Sequence, residues 1–500
     1  MPPKKPTISK SRFVAGLQCE KRLWLEVHHY DWKDEVGAST QAIFDQGHEV
    51  GELAQTLYPG GVLIAEDHQH IPQAIEATKK AVLNGADAIY EAAVLHGRLL
   101  ARADILSRVK AGGDEWDMIE VKSSTEAKDV HLWDLAIQRH IFENEGYKIR
   151  RSILCLINNQ YVRKGGIEPK KLFALDDVTS DVALKVKNIG KQVEKFLAVV
   201  DQSESPVVPI GGRCSDPYGC PFMGHCWKDV PDDSVFSLAN DRKHLAETLY
   251  QNGTVRVGDI SDSEPLSVKQ RRQVEAARTG KPYWDIPAVQ SFLEELEYPL
   301  CYLDFEGFNP AIPPYDGSWP FQKIPFQFSL HVVDKLGAKP AHYEFLADGV
   351  GDSRRPFAEA LLKAMPKKGS VVVYNAGYEG TVLRETGDFL PDLAKGLAVV
   401  AARIKDLIIP FRNYDVVMPE FYGSYSIKHV LPVLVPGMTY EGMEIGEGGA
   451  ASSAFIQLTD PALPKSEREK IRKNLLIYCG QDTLAMVKVM DVLAKKAKES

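Results

Sequence analysis

A chain of 500 residues is too long for one hydrophobic core, so two substantial domains are expected. Its 44% apolar and 26% charged residues, without a long low-complexity tract, exclude a disordered or fibrous class. A net charge of −8 excludes coating of nucleic acid through bulk positive charge, but not a local basic groove around acidic sites.

In chain order, residues 12–27 and 41–57 carry apolar residues at helical spacing. Residues 96–109 read as a strand, a Gly-rich turn follows, and 116–122 read as the returning strand, which makes a hairpin. A helix over 132–144, a strand over 152–157 and a helix over 182–200 complete a mixed α/β arrangement. Residues 228–295 are polar and helical in flavour and read as a connector. A second α/β pattern begins near 298, with strands over 300–307, 325–333 and 342–346. A helix, a buried strand over 370–375 and mostly helices follow. The expected division is therefore 1–230, a connector over 231–295, and 296–500. The start, MPPKKPTISKSRF, is basic without an apolar region after it, and no run reaches about 18 apolar residues, so a cytoplasmic protein without a membrane partner is expected.

The hairpin carries chemistry. Asp104 lies in ARADIL, and Glu120 and Lys122 lie in MIEVKSS. Side chains alternate along a strand, so Glu120 and Lys122 share a face while Val121 points to the core. Hydrolysis of a phosphodiester needs a cation to activate water and offset charge, which two carboxylates can hold, and a lysine beside them stabilises developing charge. An Asp…Glu-x-Lys set on a hairpin resembles the PD-(D/E)XK nuclease superfamily, specifically its RecB-like branch. That resemblance implies a restriction-endonuclease-like fold. It also implies a metal-binding histidine on an upstream helix, here His48 in DQGHEVGEL, and a glutamine on the helix after the lysine, here Gln138 in LAIQRHIF. Where that family has a tyrosine, this chain has Phe142.

Seven cysteines are too sparse for a disulfide framework. Cys155, Cys301 and Cys479 sit in apolar segments and read as small buried hydrophobes. Cys214, Cys220 and Cys226 are separated by gaps of five residues in a Gly/Pro-rich loop that can wrap a metal centre, with Cys19 as the candidate fourth ligand. One cysteine before the core and three after it resembles the iron-sulfur RecB-like nucleases, in which a 4Fe-4S cluster joins the two ends of the domain. Four thiolates also suit tetrahedral zinc, so zinc stays open as the alternative.

In the second half, YLDFEGF places Asp304 and Glu306 on one strand face, where they repel each other unless a cation lies between them. LLIYCGQDTLAMVKVM places Tyr478 and Asp482 one helical turn apart, where the hydroxyl can orient a water beside a metal-binding carboxylate. These motifs resemble the DEDDy branch of the DnaQ-like 3′ to 5′ exonucleases, implying an RNase H-like domain. In its middle motif this chain offers Asn375, Tyr378 and Glu379, a glutamate where the family has aspartate. Asp415 and SYSIKHVLPVL resemble the stretch that follows. End to end, the chain resembles a bacterial family that fuses these two nuclease types. The expected function is a nuclease using Mg2+ or Mn2+ at two sites, with single-stranded DNA as partner and Arg12, Lys21, Arg22, Lys128 and Arg139 as candidate phosphate contacts. RNA as the substrate of the second domain, or a module that binds nucleic acid without cutting it, are the alternatives. No dinucleotide or flavin fingerprint supports an oxidoreductase.

Overall fold

The computed structural model describes residues 5–241 and 244–499. The chain forms two compact units, Met1–Asp229 with Pro310–Phe321, and Val230–Asn309 with Gln322–Ser500. Both are mixed α/β.

The first unit is built on seven strands: β1 (Ile8–Ser9), β2 (Val62–Leu63), β3 (Ala88–His96), β4 (Leu99–Arg108), β5 (Glu115–Val121), β6 (Lys148–Ile157) and β7 (Phe173–Asp177). Their order is β2-β3-β4-β5-β6-β7, with β1 pairing parallel to β4. β3, β4 and β5 form an antiparallel meander, and β6 returns parallel to β5 after helix Asp129–Asn144, the crossover that a parallel pair needs. Gly97 makes the β3–β4 turn at φ +58°, a conformation that glycine adopts without penalty. The hairpin expected from the sequence is present as β4 and β5, but β3 precedes it. Its run AIYEAAVLH lacks polar alternation because both faces are covered, six of its first seven residues being buried.

Helix Asp129–Asn144 presents Leu135, Ala136, Ile141 and Phe142 to the core, against Val182, Ile189, Phe196 and Val200 of helix Thr179–Val200. The single helix expected over 12–27 is two, Lys10–Gln18 and Glu20–His28, separated by Cys19 in an extended conformation (φ −162°, ψ 124°). Apolar spacing continues across the break, which is why periodicity alone reads it as continuous. Pro310–Phe321 belongs to the core of this unit: Ala311 is fully buried and its N–H donates to Gln46 Oε1 at 2.9 Å.

In the second unit, residues that read as a connector build a small core of their own from Val235, Leu238, Ala246, Leu249, Val257, Ile260, Leu266 and Val274. Helix Val268–Thr279 opens on a capping box of Ser267 and Gln270 and ends at Gly280. A short strand, β8 (Tyr283–Trp284), follows. The main sheet comprises β9 (Leu300–Phe308), β10 (Ile324–Val333), β11 (Ala341–Leu346), β12 (Val371–Val373) and β13 (Ile404–Asp406); β14 (Val416–Val417) pairs with β8. Its order is β11-β10-β9-β12-β13, with β9, β10 and β11 antiparallel and β12 and β13 parallel to β9. Phe305, Phe328, Leu330, Phe357, Val371, Val373 and Val382 fill the core beneath it. The three expected antiparallel strands and the buried fourth are observed; β8, β13 and β14, each of two or three residues, are too short to give a period. No helix among the described residues is long and apolar enough to cross a membrane.

Candidate functional site

Two carboxylate centres and one cysteine centre emerge, the first carboxylate centre on β4 and β5. Glu120 is buried and surrounded by donors: Lys122 Nζ lies 2.7 Å from Oε1, Gln138 Nε2 2.7 Å from Oε2, and Lys10 Nζ 3.1 and 3.2 Å from the two oxygens. Asp104 accepts from Lys10 Nζ at 3.3 Å and from the Val121 N–H at 2.8 Å. Asp134 holds Lys122 from the far side at 2.8 Å. Asp104, Glu120, Lys122 and Gln138 thus converge, and two residues absent from the sequence reading, Lys10 and Asp134, join them.

Electrostatics follow from that packing. Burial works against both ammonium groups, yet the surrounding carboxylates raise Lys10 and Lys122 above the ordinary lysine value. Burial likewise opposes the charge of Glu120, but Lys10 and Lys122 bring it below the usual carboxylate range. Asp134 goes the other way, to about 6, through burial and the Glu120 charge. His48 does not complete a ligand set. It is exposed on helix Ala38–Gln55, and its ring and the Asp104 and Glu120 carboxylates do not all lie within 4.8 Å of one another. Phe142 is a fully buried core residue.

Cys19, Cys214, Cys220 and Cys226 line one cavity. The helix break at Cys19 and the turn that brings the Cys220 N–H to the Cys214 carbonyl at 2.8 Å place residues almost two hundred positions apart on the same wall. No three of these sulfurs lie within 4.8 Å of one another. Burial pushes the Cys220 and Cys226 thiols up, while Arg22 beside Cys220 and Lys21 beside Cys226 favour the thiolates. Cys155 and Cys301 are fully buried, and burial pushes their thiols up to about 12 and about 11, as structural cysteines require.

The second carboxylate centre lies in the other unit. Asp304 and Glu306 project from β9, and Asp482 from helix Lys465–Lys496; one oxygen of each lies within 4.8 Å of the others, the one such acidic group among the described residues. Tyr440 donates to Asp482 Oδ1 at 2.6 Å, and the Tyr478 hydroxyl also favours its charged form. The Cys479 thiol lies 3.4 Å from Asp304 Oδ2. Glu379, in the first turn of helix Ala376–Phe389, is 2% exposed, and its Oε2 has no hydrogen-bond partner. Burial raises all four acids, with repulsion from their neighbours added at Asp304 and Glu306, both far above their ordinary values, and from Asp406 and Asp482 at Glu379, which reaches about 8; Asp482, raised by burial alone, reaches about 6. Lys428 opposes this at Glu306 and Asp482, and Lys323 at Glu379. Three buried carboxylates and the half-buried Asp304 face two lysines.

Other expected residues are placed elsewhere. Asp415 is paired with Arg272 at 2.9 Å. Tyr378 packs under Lys323, 4.4 Å from its ring centroid, and Asn375 caps the Glu379 helix at φ +81°. Of the candidate phosphate contacts, Arg12 donates to the Thr7 and Glu26 carbonyls, Arg22 to Gln18, and Arg139 to Glu143 and the Ile149 carbonyl; these are structural bonds. Lys21 lies beside Cys226, and Lys128 lies 5.8 Å from the Tyr218 ring centroid.

Among known families, the one described as "Domain of unknown function (DUF2779)" matches residues 301–426. Two curated relatives are an uncharacterised protein of Ureaplasma parvum, 25% identical over 43% of this chain, and one of Mycoplasma genitalium, 24% identical over 39%. The aligned parts span about a third of each relative's length, 34% and 32%.

Proposed function

We propose that this chain is a metal-dependent nuclease with two separate sites for phosphodiester hydrolysis, acting on single-stranded DNA. The observation that carries the reading is the gathering of Asp304, Glu306 and Asp482 within 4.8 Å, with Glu379 beside them and two tyrosine hydroxyls on Asp482. Carboxylates so close and so poorly neutralised are matched by divalent cations, for which oxygen donors of this kind are the fitting set. The orphaned Glu379 Oε2 is a further donor without a partner in the protein.

Bound Mg2+ or Mn2+ would activate water and offset charge on the phosphoryl group. The protein's own groups divide the remaining work. Asp304, Glu306, Glu379 and Asp482 would hold the ions; Tyr440 fixes the rotamer of Asp482, leaving Tyr478 to orient the attacking water. The order β11-β10-β9-β12-β13, three antiparallel strands then two parallel, supports an RNase H-like DEDDy reading. In the first unit, Asp104 and Glu120 already hold a cationic group between them, the Lys10 ammonium, so the pair fits a metal ion. Lys122 would stabilise charge on the phosphate while Gln138 orients Glu120. The meander β3–β4–β5 followed by a helix and parallel β6 supports a PD-(D/E)XK reading.

The cysteine cavity would hold a 4Fe-4S cluster, with zinc as the alternative that four thiolates also suit. With all four ligands on protein, the cluster would join helix ends to the 212–226 loop and leave no open position for chemistry.

The test is degradation of end-labelled single-stranded DNA, duplex DNA and RNA in Mg2+ or Mn2+ by anaerobically purified protein, beside Lys122→Ala, Asp304→Ala and the double variant. Each single variant should lose a distinct product set and the double should be inert. A double variant that cuts like wild type sinks the catalytic reading, and a wild-type protein that binds DNA without product makes the chain a binding module.

A further inference from the structure

Lys10 enters the first site from outside every motif that defines it. It is the first residue of helix Lys10–Gln18, directly after β1, and pairing of β1 with β4 brings it to the strand that carries Asp104. Its ammonium lies 3.3 Å from Asp104 Oδ1 and 3.1 and 3.2 Å from the two oxygens of Glu120, so one cation bridges both acids. Lys122 does not do this: it joins Glu120 to Asp134 and leaves Asp104 to Lys10. An ordinary structural lysine would pair with one surface acid, at little energetic gain. Lys10 instead spans two acids, one of them only 2% exposed in its side chain.

A divalent ion bridging Asp104 and Glu120 would need the same oxygens at about 2.1 Å. Two cations cannot share them, because their mutual repulsion at such a separation in a partly buried site exceeds anything the acids return. Lys10 has the means to leave. Its side chain is 23% exposed, and four methylenes allow the ammonium to swing while the helix stays in place.

We propose that Lys10 is a built-in counter-ion of the first site: it competes with the divalent cation for Asp104 and Glu120, and when displaced it donates to the phosphodiester bound beside them. This rests on the metal-dependent reading of that site. Without metal, Lys10 bridges the two neighbouring carboxylates and ties β4 to β5 through them. With metal and substrate, it supplies a second ammonium beside Lys122. The arrangement makes the site tolerant of metal loss and lowers its affinity for the ion.

The test is Mn2+ binding, followed by electron paramagnetic resonance, to the full-length chain in an Asp304→Asn, Asp482→Asn background that silences the second centre. Lys10→Met and Lys10→Gln should bind Mn2+ at least tenfold more tightly than Lys10, and Lys10→Arg should not. In chelator, Lys10→Met should melt earlier than the parent and recover on adding Mn2+. Glu120→Gln should abolish the binding, which assigns it to this site. Equal or weaker Mn2+ binding in both neutral variants overturns the competition, even where Lys10→Met folds poorly, since Lys10→Gln retains a donor. A Glu120-dependent Mn2+ signal missing from parent and variants alike overturns the metal reading itself, and the counter-ion role with it.

Discussion

At the residue scale, Glu379 concentrates the electrostatic problem of the second unit. A glutamate carboxyl held at about 8, where its ordinary value is 4.5, binds its proton more tightly in the folded protein than in the unfolded chain. Between those two values the folded state holds more protons than the unfolded state, so stability falls as pH rises, and the loss is complete above about 8. Asp482 adds the same sign over a lower window, from 3.8 to about 6. The expected outcome in chelator is a melting temperature of the second unit that drops steadily from pH 5 to pH 8. Glu379→Gln should flatten the upper part of that fall, above about pH 6, and saturating Mn2+ should remove most of it in the wild type. The same variant should lower Mn2+-dependent exonuclease activity by at least tenfold. A midpoint that is flat or rising with pH, or a variant that keeps the wild-type slope, would show that Glu379 is not a buried acid awaiting a cation.

At the scale of elements, the four cysteines bring together the break between helices Lys10–Gln18 and Glu20–His28 and the irregular 212–226 loop, which Gln18 also binds through the Arg213, Asp216 and Tyr218 carbonyls. A loop with so little regular structure would gain order from the proposed cluster. Cys19→Ser should therefore lose iron and acid-labile sulfide as completely as Cys220→Ser, and both should make the loop a preferred site of limited proteolysis. Full iron content in Cys19→Ser would remove it from the ligand set. This is also the scale at which legibility in the sequence divides. Asp304 and Glu306 are readable because strand alternation puts them on one face, and Tyr478 and Asp482 because they lie one helical turn apart. Glu120 and Lys122 are readable for the same local reason, and Gln138 only through the family resemblance. Lys10, Asp134, Tyr440 and Lys428 are not, because what makes them matter is pairing across distant segments: Lys10 reaches Asp104 over 94 positions and Tyr440 reaches Asp482 over 42. Asp134 carried a faint signal, lying one turn before Gln138 on the same helix face. His48 rests on motif order along the chain alone, and the structure adds only that it is exposed on helix Ala38–Gln55. The residues over 231–295 read as a connector because their apolar residues sit in short helices and turns without sustained period.

At the scale of the whole molecule, each unit has its own apolar core. One core gathers Phe13, Leu23, Met118, Phe142 and Phe196, the other Phe305, Phe328, Phe357 and Val371. The candidate centres are divided in the same way, the cysteine centre and the Asp104–Glu120 pair in the first unit, the Asp304–Glu306–Asp482 group in the second. A ligand that binds only the folded form of one unit stabilises that unit alone, by about 2.7 kcal/mol at a concentration a hundred times its dissociation constant. For domains of this size that is a shift of roughly 5 to 10 °C. Calorimetry of the anaerobically purified chain should then show two transitions. Mn2+ should raise both, the rise of the second unit's transition being largely lost in Asp304→Asn, and removal of iron should lower only the transition of the first unit. The chain passes between the units at 229–230, 309–310 and 321–322, so the covalent path alone does not guarantee this independence. A single transition that moves with both treatments would mean that the units unfold as one, and then loss of the cysteine centre would silence the second carboxylate centre as well as the first.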